Sequence, residues 1–378
     1  MPPQSTKNES RRHYLDHAST SPLRREARDA LVAVLDGAAG DPSRIHEEGM
    51  AARAAVEDGR DQVAARFGCR SSREVVFTSG ATEAIATAVW GAAERGAHQV
   101  VPAIEHSAVR EAAAAAGEVT VIEVDSVGRV DIDDALAAIR PDTDLVHLQW
   151  ANHEVGTVQP VADLVAACRE RGVLVHVDAA TAAGHVPIDF AALDADLLSI
   201  SAHKLGGPAG VGALLVRRGL RLRPLLRGGD QERARRAGFE HVAGIVGFGA
   251  ACAVIDVDRE AAAARTLTDR VLAAVPSLDG VVVYGDPFGR VPHLVCLGVL
   301  GIEPQAVLLG LDRAGIAAHS GSACSSEALE PSPVLEAMGV DAHRSLRISV
   351  GWSSTGADID ALLAALPEVI AKLRALGS

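Results

Sequence analysis

A single lysine, Lys204, stands in SISAHKLGGPAGVGAL (199–214) behind a β-branched run and ahead of Gly206, Gly207, Gly210 and Gly212. So many glycines around one lysine suit backbone held close to a ligand. The end of a strand in a parallel sheet is also where such folds bind ligands. An isolated His-Lys before a turn is otherwise an ordinary surface pair. A second group, Asp178, closes the apolar run VLVHVD. A carboxylate at such a place costs free energy unless a cation pairs with it; its plainer reading is an N-cap for the Ala-Ala-Thr-Ala-Ala stretch that follows. In VVFTSGATEAI, a strand passes through Ser79, Gly80, Ala81 and Thr82 into a helix. Backbone N–H groups at such a helix start can hold a phosphate, although Ser-Gly is also a common cap. No Gly-Lys-Ser/Thr follows, so this is not a Walker loop.

A lysine, a buried carboxylate and a phosphate-type turn together fit pyridoxal 5′-phosphate (PLP), whose pyridine nitrogen needs a carboxylate because the protonated ring is the better electron sink. Three more residues carry candidate chemistry. Cys324, in IAAHSGSACSS, is set among small and polar residues. That reads as an exposed, mobile loop from which a thiol reaches a substrate once a base activates it; otherwise it is an inert loop cysteine. Arg347 is a lone charge in SLRISVG, either a clamp for a substrate carboxylate or an arginine on an exposed strand face. His106, in AIEHSAV, follows another strand end and either stacks on a planar ring or caps the next helix.

These residues need a scaffold, and the pattern supplies one. Strands are expected at 74–78, 99–102, 119–124, 144–149, 173–178, 196–201 and 212–216, with helices at 81–94, 107–116, 132–139 and 160–171 between them. Several runs are apolar throughout, as strands buried on both faces are. The alternation predicts an α/β fold with a large domain built on a mostly parallel seven-stranded sheet. After about residue 249 the rhythm changes to one long helix (250–275), short strands at 280–284, 293–297 and 345–350, and helices near 303–314 and 358–376. That predicts a disordered arm at 1–13, a large cofactor-binding domain at 14–250 and a smaller α+β domain at 251–378 carrying the Cys324 loop.

Composition narrows the function classes. At 378 residues and 48% hydrophobic the chain can bury a large core. A net charge of −13 argues against direct nucleic-acid binding through phosphate neutralisation. No apolar run approaches the roughly 20 residues that span a bilayer, so no membrane anchor is expected. Five scattered cysteines without a CxxC pair argue against disulfides or a metal site and suit a cytoplasmic chain.

The ordered segments YLDHASTSP, GDPSRIHEEG, FTSGATEA, EHSAV, ANHEVGTVQP, VDAA, SAHKLGGPAGVG, GGDQER, VAGIVGFGAA, SGSACSS and LRISVGWSST resemble the cysteine desulfurases, class V aminotransferases within the fold-type I PLP enzymes. The resemblance covers the chain from Tyr14 to Thr355. It implies that Lys204 holds PLP covalently, that Asp178 pairs with the ring nitrogen, and that His106 stacks on the ring and moves protons. It implies further that Ala81, Thr82, Ser201 and His203 hold the phosphate, that His153 and Thr181 border the cofactor, and that Asn152 and Arg347 bind the substrate L-cysteine. Cys324 then takes the sulfur as a persulfide, leaving alanine. A homodimer with the site at its interface follows, as does a sulfur-acceptor protein, because the Ser-Gly-Ser-Ala-Cys loop resembles the branch with the longer catalytic loop. The sequence departs from the family pattern at His153 (asparagine there), at Thr181 (glutamine) and at 237–239, where Ala-Gly-Phe replaces Ser-Gly-Thr. A selenocysteine lyase, another PLP-dependent carbon–sulfur lyase and a sulfur-transfer scaffold of weakened activity are the alternative readings.

Overall fold

The computed structural model describes residues 12–37, 40–92, 98–321 and 331–377. Strand β1 (His13–Tyr14) comes first, followed by seven strands that make one sheet: β2 (Val75–Thr78), β3 (His98–Pro102), β4 (Val119–Ile122), β5 (Thr143–Gln149), β6 (Leu174–Asp178), β7 (Leu197–Ser201) and β8 (Gly212–Val216). Their order is β2-β8-β7-β6-β5-β3-β4. Neighbours from β7 to β4 run parallel, while β8 is antiparallel to both β7 and β2. Strands β2, β3, β6, β7 and β8 are buried along their whole length. Helices cover both faces, which is why the strands read as unbroken apolar runs. The seven expected strands are all present, with bounds shifted by no more than two residues.

Three further strands, β9 (Val281–Tyr284), β10 (Leu294–Val299) and β12 (Ser345–Ser349), form an antiparallel sheet in the order β12-β10-β9. Between the last two lies β11 (Ile316–Ala317), which pairs in parallel with β1. His13 therefore belongs to the folded body, not to an arm ending at residue 13. Leu15 packs in the core of this second sheet with Val295, Leu346 and Ile348.

Other expectations are corrected by the packing. The long helix expected at 250–275 is two, Val242–Val254 and Val257–Ala274. Ile255 is extended and buried between them, and the Asp256 carboxylate accepts the Arg259 N–H to cap the second helix. A division at residue 250 would cut through the first. Two long helices went unanticipated, Arg25–Asp36 and Glu47–Arg66. The second buries Gly49, Gly59 and Ala64 beside Val56 and Val63 rather than a stripe of large side chains. A Cβ on Gly59 would lie 3.0 Å from the Ile245 carbonyl oxygen, so the glycine permits the helices to touch. Among the described residues no helix is long and apolar enough to cross a membrane.

Candidate active site

Strands β2, β3, β5, β6 and β7 all end at one edge of the large sheet, and the groups singled out above gather there. β6 ends on Asp178, and β7 ends on Ser201 before a tight turn, Ala202–Lys204. β2 leads through Ser79 and Gly80 into the helix Ala81–Ala92. Gly212 opens β8 beside that turn, where a Cβ would meet the Gly80 Cα at 2.7 Å; only glycine lets the two chains pass. The cavity at this edge holds about 600 Å³, within the range of small-molecule sites. Lys204, Asp178, His106, Ala81, Thr82, His153, Thr181, Ser201, His203 and Arg347 all line it.

The polar groups are directed by their partners. Asp178 Oδ1 accepts the Ala180 N–H at 3.0 Å and the Ser199 hydroxyl at 3.1 Å, leaving its other oxygen without these bonds. Lys204 Nζ donates to the Ala18 carbonyl. Burial, followed by the charge of Arg347, lowers the Lys204 pKa to about 8. His106 Nδ1 accepts the Ala108 N–H at 3.0 Å and caps the helix Ser107–Ala116, so its proton sits on Nε2. Burial lowers its pKa and keeps the ring neutral. His153 meets His106 edge-on, with centroids 5.0 Å apart, and its buried Nδ1 has no partner among the described residues. Ser201 Oγ lies 2.9 Å from His203 Nδ1, beside the helix start. At that start Glu83 accepts the Ser79 N–H at 2.7 Å and pairs with Arg236 at 2.9 Å. The N–H groups of the helix's first turn have no intrahelical acceptors.

Arg347 reaches in from β12. Its guanidinium donates to the His153 carbonyl at 2.8 Å, to Asp16 at 3.0 Å and to Ser19 Oγ at 2.7 Å, while the buried Nε has no partner among the described residues. Asn152 is placed elsewhere. It is fully buried, off the cavity wall, with its side-chain oxygen accepting the N–H groups of Glu154 and Val155 and its amide donating to the Ile104 carbonyl. It shapes the turn that presents His153, and no direct contact with a substrate is open to it in this arrangement. Cys324 lies outside the described residues.

The family model for Aminotransferase class-V matches residues 13–362. A cysteine desulfurase of Cereibacter sphaeroides is 42% identical over 380 residues, spanning 97% of each chain. The chain belongs to the cysteine desulfurases. Among solved structures, a NifS-like protein superposes with a TM-score of 0.89 at 30% identity, over 96% of this chain and all of that one. A structure described as SspA in complex with cysteine superposes at 0.80 with 27% identity, over 91% of this chain and all of that one.

Cysteine desulfurases work with PLP, and the described residues fit that group. An amine, a carboxylate with an oxygen to spare, a neutral imidazole and a helix start with unsatisfied N–H groups face one cavity. Four residues that this desulfurase fold brings to the site carried no singular signal in the sequence. Ser19, Gln149 and His319 line the cavity, and His319 Nδ1 accepts the Gly321 N–H at 2.9 Å. Glu105 lies beneath, fully buried, with Oε1 taking the Gln149 N–H and Oε2 unpartnered. Burial, reinforced by the charge of Asp178, pushes the Glu105 carboxyl well above the usual range. Its place next to His106 in the sequence was the one available hint.

Proposed function

We propose that this chain removes sulfur from L-cysteine in the cavity around Lys204, with PLP held there, and receives the sulfur on Cys324. The observation that carries the reading is the convergence of Lys204, Asp178 and the turn before Ala81–Ala92 on one cavity. When bound, the cofactor supplies an electron sink that weakens bonds at the amino-acid α-carbon. Lys204, lowered to about 8, is an amine that anchors the cofactor and, once displaced, takes a proton at Nζ. Asp178 offers its free oxygen to the ring nitrogen. The N–H groups of Ala81 and Thr82, with Ser201 and His203, suit a phosphate. His106 holds a proton on Nε2 beside the ring, and Thr181 borders it.

Arg347 suits the substrate carboxylate, with Asp16, which pairs with its Nη2 at 3.0 Å, as the counterion that the carboxylate replaces. In the transfer, the Cys324 thiolate bonds to the substrate sulfur, the carbon–sulfur bond breaks, and the remaining three-carbon amino acid leaves as alanine. Burial pushes up the thiols of Cys69, to about 12, and Cys168, to about 11, and also raises those of Cys252 and Cys296; none of the four lines the cavity. Cys324 follows the cavity residue Gly321 by three positions, a covalent reach of about 11 Å at most. The relative solved with cysteine supports the choice of substrate. A second copy of the chain suits the surface beside Ser79 and Gly210, where Phe239 is 63% exposed; a sulfur-acceptor protein would then meet Cys324.

The visible spectrum of the purified protein tests the reading. A yellow band that disappears in Lys204→Ala is expected. Colourless protein that cannot be reconstituted with PLP would overturn it.

A further inference from the structure

A row of buried polar side chains runs across the large sheet behind Asp178. Ser199 on β7 donates to Asp178, and its Oγ lies 3.2 Å from His176 Nε2 on β6. His176 Nδ1 stands 3.1 Å from His147 Nδ1 on β5, the residue opposite it in register. His147 Nε2 is 2.8 Å from Gln99 Oε1 on β3. The four side chains are at most 1% exposed. Polar groups so deep in a sheet cost free energy unless every one is paired, and here each is.

The chemistry of the partners fixes the direction of the row. A carboxylate that pairs with a protonated ring nitrogen only accepts hydrogen bonds, so in that role Asp178 takes the Ser199 hydroxyl proton and Ser199 accepts from His176 Nε2–H. His176 is neutral, because burial lowers it to about 4, so its Nδ1 is a lone pair. That lone pair takes the proton on His147 Nδ1, which leaves His147 Nε2 a lone pair as well, so the row requires the Gln99 amide to turn over and face Nε2 with its NH2 in place of Oε1. Every bond then points at Asp178. Run the other way, the row would require a proton on Asp178.

We propose that His147, through His176 and Ser199, is a positioning residue that holds Asp178 oriented toward the cofactor ring nitrogen. This rests on the assignment of Asp178 to that nitrogen. The other titratable groups that interact with Asp178 are Glu105, His106 and Lys204, which are common to every variant below and cancel in the comparison.

The test is nitrogen NMR of protein reconstituted with PLP isotope-labelled at its ring nitrogen, followed as a function of pH. Ser199→Ala and His147→Leu should each lower the pH at which the ring nitrogen loses its proton by about one unit. The double variant should shift no further than Ser199→Ala alone, because both act through one hydroxyl. Ser199→Thr, which keeps the hydroxyl, should titrate like the unaltered protein. A folded, loaded His147→Leu that titrates unchanged, or shifts that add in the double variant, overturn the proposal. Should His147→Leu not fold, Ser199→Ala decides alone, since it deletes one atom and no shift there overturns the row. Asp178→Asn separates the two claims: if it also leaves the titration unchanged, the assignment of Asp178 to the ring nitrogen is wrong.

Discussion

Lys204 sits among groups that set its charge, since burial and Arg347 lower it from 10.5 to about 8 while Asp16 and Asp178 oppose them. A free amine attacks an aldehyde and an ammonium does not, so the neutral fraction governs how fast the apo-protein takes up PLP. The uptake rate should climb with pH and level off above about 8. A rate that keeps rising toward pH 10.5 would show that the amine is an ordinary one. Stopped-flow absorbance on apo-protein makes the measurement. How far the residues were legible follows from the same contrast. Asp178 stood out because a charge at the end of an apolar run is improbable without a partner, and Lys204 because of the glycines around it. Glu105 and His319 did not, because their surroundings come from other elements: Glu105 gains its significance from Gln149 on β5 and from Asp178 on β6. The resemblance assigned Asn152 to the substrate, and the structure shows its side-chain oxygen accepting the N–H groups of Glu154 and Val155 in the turn at 152–157.

Among the elements, β2 is an edge strand of the large sheet, and its outer rim is closed by a side chain from a distant loop. Glu232 accepts the Phe77 N–H at 2.9 Å and pairs through both oxygens with Arg60, each at 2.7 Å. Arg60 in turn donates to the Val75 carbonyl at 3.1 Å. Both charged side chains are almost wholly buried. The backbone of Glu232, Arg233 and Ala234 is held at φ values of 48°, 57° and 61°, a left-handed run that L-residues adopt only when their surroundings demand it. Glu232→Ala would leave Arg60 buried without its main counterion. It should lower stability by about 3–5 kcal/mol in urea unfolding. A loss below about 1 kcal/mol would mean that the pair behaves as a surface one. No sequence pattern announced this clamp, since its partners are 172 positions apart. The helix Glu47–Arg66 escaped notice for a related reason: glycine and alanine make much of its contact surface, and small residues leave no apolar stripe to read.

For the molecule as a whole, the seven-stranded sheet was the legible part, because strands buried on both faces spell themselves out residue by residue. The pairing of β1 with β11, two residues each and some 300 positions apart, was not, yet it brings Asp16 and Ser19 against Arg347. The cavity is thus assembled from both ends of the chain, with the groups proposed for the cofactor on the large sheet and those proposed for the substrate around the smaller one. Sulfur transfer to Cys324 is the claim on which that arrangement converges. Mass spectrometry of the Cys324 peptide after exposure to L-cysteine, with alanine measured in the same sample, tests it most directly. One added sulfur atom on Cys324 with matching alanine, both absent in Lys204→Ala, is the predicted result; undiminished alanine release by Cys324→Ser, or the sulfur on another cysteine, would contradict it.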